Sequence, residues 1–184
     1  MHYFKLLKES SQELKKLNNL LICAMLLALC VVFGLFGAVM LGPFIRISFS
    51  YLPYALGSML FGPVAGGILG ALSDILNYIL APKGNFFPGF TLNAILSGMV
   101  YGFAFYQKKI TVKRIVITKF ILVVIVDMLL STLWLSMLYG QAFMILLPAR
   151  VLKNIIMLPI DVTMLYFVLT KLPVLITDIK KVRS

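Results

Sequence analysis

Residues 20–41 form an unbroken run of apolar and small side chains without a single charged, amide or hydroxyl group. About 20 such residues wound as an α-helix cover the ~30 Å hydrocarbon core of a bilayer. Five further apolar stretches follow, at residues 51–61, 64–81, 91–106, 115–138 and 147–172. They predict an all-α membrane protein: one membrane domain over residues 1–184, built as a compact bundle of six transmembrane helices. The second helix is short, so it is expected to tilt or to shelter among its neighbours. Gly42-Pro43, Phe61-Gly62-Pro63 and the turn-rich segment Pro82 to Phe90 mark the breaks. Composition agrees: 61% of residues are hydrophobic and only 12% charged, with a mean hydropathy of +1.03. Polar surface is too scarce to cover a water-soluble domain of this kind.

The formal charge of +11 does not indicate nucleic acid, because the basic residues flank apolar runs instead of forming a hydrophilic face. Lys5, Lys8, Lys15 and Lys16 precede the first span. Lys108, Lys109, Lys113, Arg114 and Lys119 lie between or near spans four and five. Lys171, Lys180, Lys181 and Arg183 end the chain. Six crossings bring these three groups to one side, and the positive-inside rule makes that side cytoplasmic, with both termini there. A plasma membrane is the expected location. Arg46, Lys83, Arg150 and Lys153 then fall at or near the outer side, where orientation does not require them.

Residues 1–18 place Phe4, Leu7, Leu14 and Leu17 among lysines. That spacing fits an amphipathic helix on the inner leaflet, and a solvated basic tail fits equally well. A secretory signal peptide is not expected, since the first 20 residues are polar and the following run is too long. Cys23 and Cys30 form no CxxC and no metal set with His2, so they are expected to be small packing residues, and no metal or cofactor is expected.

Three carboxylates lie within the spans: Asp74, Asp127 and Asp161. A bare carboxylate in lipid is costly, so each is expected to face the protein interior or a wet cavity. Asp74 shares a helix face with Asn77 three residues on and is expected to touch a ligand. Asp127 and Asp161 fall near mid-membrane, inward of Arg150, and are expected to be structural. Arg150, Lys153 and Asn154 share one face at the outer end of span six. Two cations there suit an anion carrying carboxylates; snorkelling to phospholipid headgroups is the plainer reading.

Phe44, Phe49, Tyr51, Tyr54, Tyr78, Phe86, Phe87, Phe90, Trp134 and Tyr139 gather at the same outer level. An interfacial belt accounts for part of this set. The three phenylalanines of the 82–90 loop are placed to close over a flat aromatic ligand. Gly66-x-x-x-Gly70 and Gly98-x-x-x-Gly102 allow close helix approach, within the chain or against a partner. There is no P-loop, no His-Glu-x-x-His and no Gly-x-Ser-x-Gly, so an enzyme is not expected. A purely structural membrane subunit would leave the outer cations and Asp74 without a purpose.

Several stretches carry a resemblance: Ile45-Arg46-Ile47-Ser48-Phe49-Ser50-Tyr51-Leu52-Pro53, Leu60-Phe61-Gly62-Pro63-Val64-Ala65-Gly66-Gly67, Leu72-Ser73-Asp74, Phe87-Pro88-Gly89-Phe90-Thr91-Leu92, Thr132-Leu133-Trp134-Leu135 and Leu147-Pro148-Ala149-Arg150. With them the chain resembles the substrate-binding S components of energy-coupling factor (ECF) vitamin transporters, most closely the folate-specific members. The resemblance implies high-affinity capture of folate from outside, with no ATPase in this chain. It implies docking on a membrane coupling subunit (EcfT) that sits on two cytoplasmic ATPases (EcfA-type), and toppling of the bundle within the lipid bilayer. Ala24 and Ala28 would meet the coupling subunit, and loops 42–50 and 82–90 would gate the pocket. Asp74, Trp134 and Arg150 would touch the ligand, with Lys153 and Asn154 beside them. In folate terms, Asp74 accepts from the pterin donors while Arg46, Arg150 and Lys153 meet the glutamate carboxylates. The expected ligand set is completed by Asn77, Tyr78, Phe86, Phe87 and Phe90. Thiamine, a cation, does not suit these positive charges; riboflavin and pantothenate remain as alternatives.

Overall fold

A computed structural model describes residues 2–36, 38–41, 45–82, 86–140 and 143–182; side chains are further undescribed at 2–5, 38–41, 45–48, 139, 143–147, 149 and 173–182. The order is α1 (His2–Glu13), α2 (Leu17–Leu35), β1 (Ala38–Leu41), β2 (Ile45–Ser48), α3 (Tyr51–Phe61), α4 (Pro63–Leu80) and α5 (Pro88–Phe105). Then α6 (Val112–Leu122) runs through a π-helical stretch (Val123–Leu130) into α7 (Ser131–Tyr139), and α8 (Phe143–Val182) follows. Because α6, the π stretch and α7 form one continuous helix, the described residues contain seven helical bodies, one more than the six expected spans. The additional one is α1.

Among the described residues, four helices are long and apolar enough to cross a bilayer: Leu17–Leu35, Pro63–Leu80, Val112–Leu138 and Arg150–Leu172. The 11 residues of α3 rise only about 16 Å, in keeping with the short second helix expected. The first span differs from expectation. Its helix ends at Leu35, and the remainder of the apolar run enters an antiparallel pair in which Val39 faces Ile47 and Met40 faces Arg46. Val39, Ile45 and Ile47 are β-branched and favour that pairing, so apolar character continues past the point where helix stops. The 40 residues of α8 reach about 60 Å, twice the hydrocarbon core. They start before residue 147 and carry the chain past Leu172, with Pro148, Pro159 and Pro173 all inside the helix.

Proline and threonine set the helix starts. Pro63 and Pro88 stand in the first turns of α4 and α5, where a missing N–H costs nothing. Thr111 caps α6 by accepting from Arg114 N. Gly62 adopts φ +91°, a conformation open to glycine. It lets the chain reverse between α3 and α4. Gly62 itself offers α4 no capping side chain; Ser10 of α1 does. The fully buried Ser10 Oγ donates to Phe61 O at 2.6 Å and accepts from Val64 N at 3.1 Å and Ala65 N at 3.4 Å. Gln107 also reaches Glu9 at 3.3 Å. These bonds hold α1, the α3–α4 turn and the segment after α5 together at one end of the bundle.

Helices α4 and α5 pack backbone to backbone. A Cβ on Gly98 would lie 2.0 Å from Gly66 O, and one on Gly70 would lie 2.3 Å from Ala94 O. The small-residue pattern therefore serves internal packing. On the α1 side, Leu26, Leu56, Phe105, Ile115, Leu165 and Leu169 form an apolar core. Cys23 and Cys30 are buried free thiols on the inner face of α2, whose opposite face exposes Ala24, Met25, Ala28 and Leu29.

Candidate functional site

Beyond that apolar core, a cavity of about 280 Å³ lies between α3, α4, α5, the long helix that begins with α6, and α8. Its lining is unusually polar for the interior of a membrane bundle. From α4 come Ser73, Asp74 and Asn77, and from α5 Ser97 and Tyr101. Lys119 and Asp127 come from the long helix, and Lys153, Asn154 and Asp161 from α8. Tyr51 and Tyr54 of α3 complete the wall.

One part of the wall is a closed electrostatic group. Lys119 Nζ lies 2.9 Å from Asp161 Oδ2, the Tyr51 hydroxyl donates to Asp161 Oδ1 at 2.5 Å, and the ammonium stands 4.1 Å from the Tyr51 ring centroid. Hydrogen bonds to both oxygens make burial of this carboxylate tolerable. Elsewhere, Thr91 Oγ1 donates to Asp74 Oδ2 at 2.8 Å, tying the start of α5 to α4. Asn77 Nδ2 donates to Ser73 O at 2.7 Å, while its Oδ1 is buried with no partner among the described residues. Gly34 makes room for this amide, since a Cβ there would lie 1.9 Å from Oδ1.

An aromatic group adjoins the start of α5. The Phe87 ring lies 5.6 Å from Trp134 and 6.1 Å from Phe90, and Trp134 Nε1 donates to Asn93 Oδ1 at 3.1 Å. Gly89 lies against Phe87 and Trp134, leaving no room for a Cβ. Tyr78 and Phe86 pair separately at 5.0 Å.

Of the expected ligand residues, Asp74, Asn77, Lys153 and Asn154 line the cavity together. Phe87, Phe90 and Trp134 form the adjoining cluster; Tyr78 and Phe86 stand outside the lining. Arg150 is turned onto the backbone, with Nη1 donating to Asp127 O at 3.1 Å and Nε buried without a partner among the described residues. Arg46 sits in β2, and its side chain lies outside the described residues, as do Lys83 and the middle of both gating loops. Two expectations need correction. Asp127 and Asp161 do not stand apart from the outer cations: they share one cavity with Lys153, and Arg150 bonds the Asp127 backbone. Lys119, expected among the orienting cations, is buried in that cavity. A sequence signal for it existed. Lys119 is in phase with the buried Ile115 and Leu122, four residues before and three after, whereas a snorkelling cation would be out of phase with the apolar face.

The family described as "ECF transporter, substrate-specific component" matches residues 18–169. A folate transporter, FolT, of Clostridium novyi is 40% identical over 153 residues, covering 83% of this chain and 88% of that protein. A second FolT, from Leuconostoc mesenteroides, is 30% identical over 68% of this chain and 71% of its own length. The riboflavin transporter RibU of Staphylococcus aureus is 31% identical over 63% of each. Among solved structures, a crystal structure of FolT bound with folic acid matches with a TM-score of 0.79 and 35% identity, covering 85% of this chain and 95% of that one.

Proposed function

The chain belongs to the ECF transporter substrate-specific components, and on that premise we propose that it captures folate at the outer face of a prokaryotic plasma membrane. The observation that carries this reading is the folate transporter of C. novyi, similar along most of both chains. The cavity supports it chemically. At about 280 Å³ it is near the small end of the ~300–1,000 Å³ of ligand pockets, so it takes the flat pterin head and leaves the glutamate tail at the mouth. Asp74, Asn77, Lys153 and Asn154 contact the head. Phe87, Phe90 and Trp134 stack over it. Arg46 and Arg150 receive the carboxylates of the tail.

Both termini are cytoplasmic in this reading. The chain hydrolyses no ATP; it topples on a membrane coupling subunit driven by two cytoplasmic ATPases, and the exposed Ala24 and Ala28 of α2 form the closest contact with that subunit. The riboflavin transporter relative supports a second reading, capture of a different flat vitamin. The small molecule released when the purified protein is denatured separates the two. A pterin absorbance and mass support the first reading, and a flavin establishes the second. Protein released empty that also fails to bind added folate contradicts the first.

A further inference from the structure

The cavity is lined by five carboxylate and ammonium groups: Asp74, Lys119, Asp127, Lys153 and Asp161. Lys119 and Asp161 satisfy each other, and Asp74 accepts from Thr91. Among the described residues, the Asp127 carboxylate and the Lys153 ammonium have neither a hydrogen bond nor an ion pair. A carboxylate within a membrane span is costly. This one stands near the cations Arg150 and Lys153 and lines the cavity with no hydrogen bond to its side chain among the described residues, so its oxygens remain open to donors on a bound molecule.

The backbone is arranged to hold it there. In an unbroken α-helix, Asp127 would stand about 80° round the axis from Lys119, eight residues earlier. The π-helical stretch Val123–Leu130 winds more slowly, with Ser131 N bonding five residues back to Val126 O. The slower winding returns Asp127 toward the face that carries Lys119, and both reach the cavity. Interruptions of this kind are frequent at functional sites. The Asp127 carbonyl is bonded by Arg150 Nη1, which steadies the widened turn from α8.

We propose that Asp127 reads the head of the ligand: its carboxylate accepts two adjacent N–H donors on the flat ring, and Lys153 donates to an acceptor on the same molecule. An ionised carboxylate only accepts, and its two oxygens match a parallel donor pair. The pterin of folate offers such a pair in its amino group and neighbouring ring N–H; Asp74, expected from the sequence to take these donors, is instead engaged by Thr91 Oγ1 at 2.8 Å. A flavin ring offers one imide N–H flanked by carbonyls, so the same residue selects between the two vitamins. This inference rests on the folate reading above.

The test is calorimetry on the full chain in detergent, as wild type and Asp127→Asn, with two ligands: folate, and a folate analogue whose ring amino group is replaced by methyl. Wild type binds the analogue at least about tenfold more weakly than folate. Asp127→Asn binds folate at least about tenfold more weakly and no longer distinguishes the two. Equal losses for both ligands in the variant would show Asp127 acting through structure and overturn the proposal. Wild type binding both ligands equally overturns it without any variant. Wild type that binds no folate overturns the folate reading and this inference together, an outcome distinct from the other two.

Discussion

Lys119 on α6 and Asp161 on α8 meet at 2.9 Å, with side chains only 8% and 9% exposed. Tyr51 of α3 donates to the same carboxylate, so a single group joins three helices beside the cavity. Breaking such a pair from one side leaves a buried charge without compensation. Lys119→Met or Asp161→Leu alone is expected to cost about 3–5 kcal/mol of stability, and the double variant to recover most of it. Thermal unfolding of the purified variants in detergent checks this. A double variant as unstable as the sum of the singles would mean that the pair is not coupled.

Ser10 caps α4 from a different helix. Ser10→Ala removes the acceptor for Val64 N and Ala65 N and the donor to Phe61 O. The expected cost is about 1–2 kcal/mol, as for loss of a helix cap, and falls on the end of the bundle away from the cavity. Melting temperature drops while ligand affinity at low temperature stays unchanged. A variant with reduced affinity and an unchanged melting temperature would contradict this division.

How much of this was legible in the residues depended on periodicity. Apolar runs located the spans, and Asp74, Asn77, Lys153 and Asn154 were identifiable because polar groups on one helix face in lipid need a cavity. Apolar character alone did not mark where α2 stops, since Ala38, Val39, Met40 and Leu41 serve a strand as well as they would a span. Gly66 and Gly98 gave the spacing but not the partner helix, which only packing determines. Lys119 was readable from its phase among Ile115 and Leu122, yet its position near the basic loop suggested orientation instead. Asp127 was not readable as a lining residue, because its direction depends on a π-helical stretch that no residue pattern announced.

Trp134 is the one tryptophan of the chain, and it lies beside Phe87 at the start of α5. If the aromatic cluster stacks on the ligand, its emission is a direct reporter. Folate is expected to change Trp134 fluorescence saturably, at the same concentrations that give the calorimetric isotherm, and Trp134→Phe to weaken binding by about threefold to tenfold. Constant emission during folate binding would place the cluster beyond the reach of the ligand.

The most direct measurement of the central claim is a calorimetric titration of ligand-free purified chain with folate, and in parallel with riboflavin and pantothenate. Saturable binding of folate at one site, with no comparable heat from the other two, is the predicted result. Folded protein that binds riboflavin or pantothenate in place of folate, or none of the three, would contradict it.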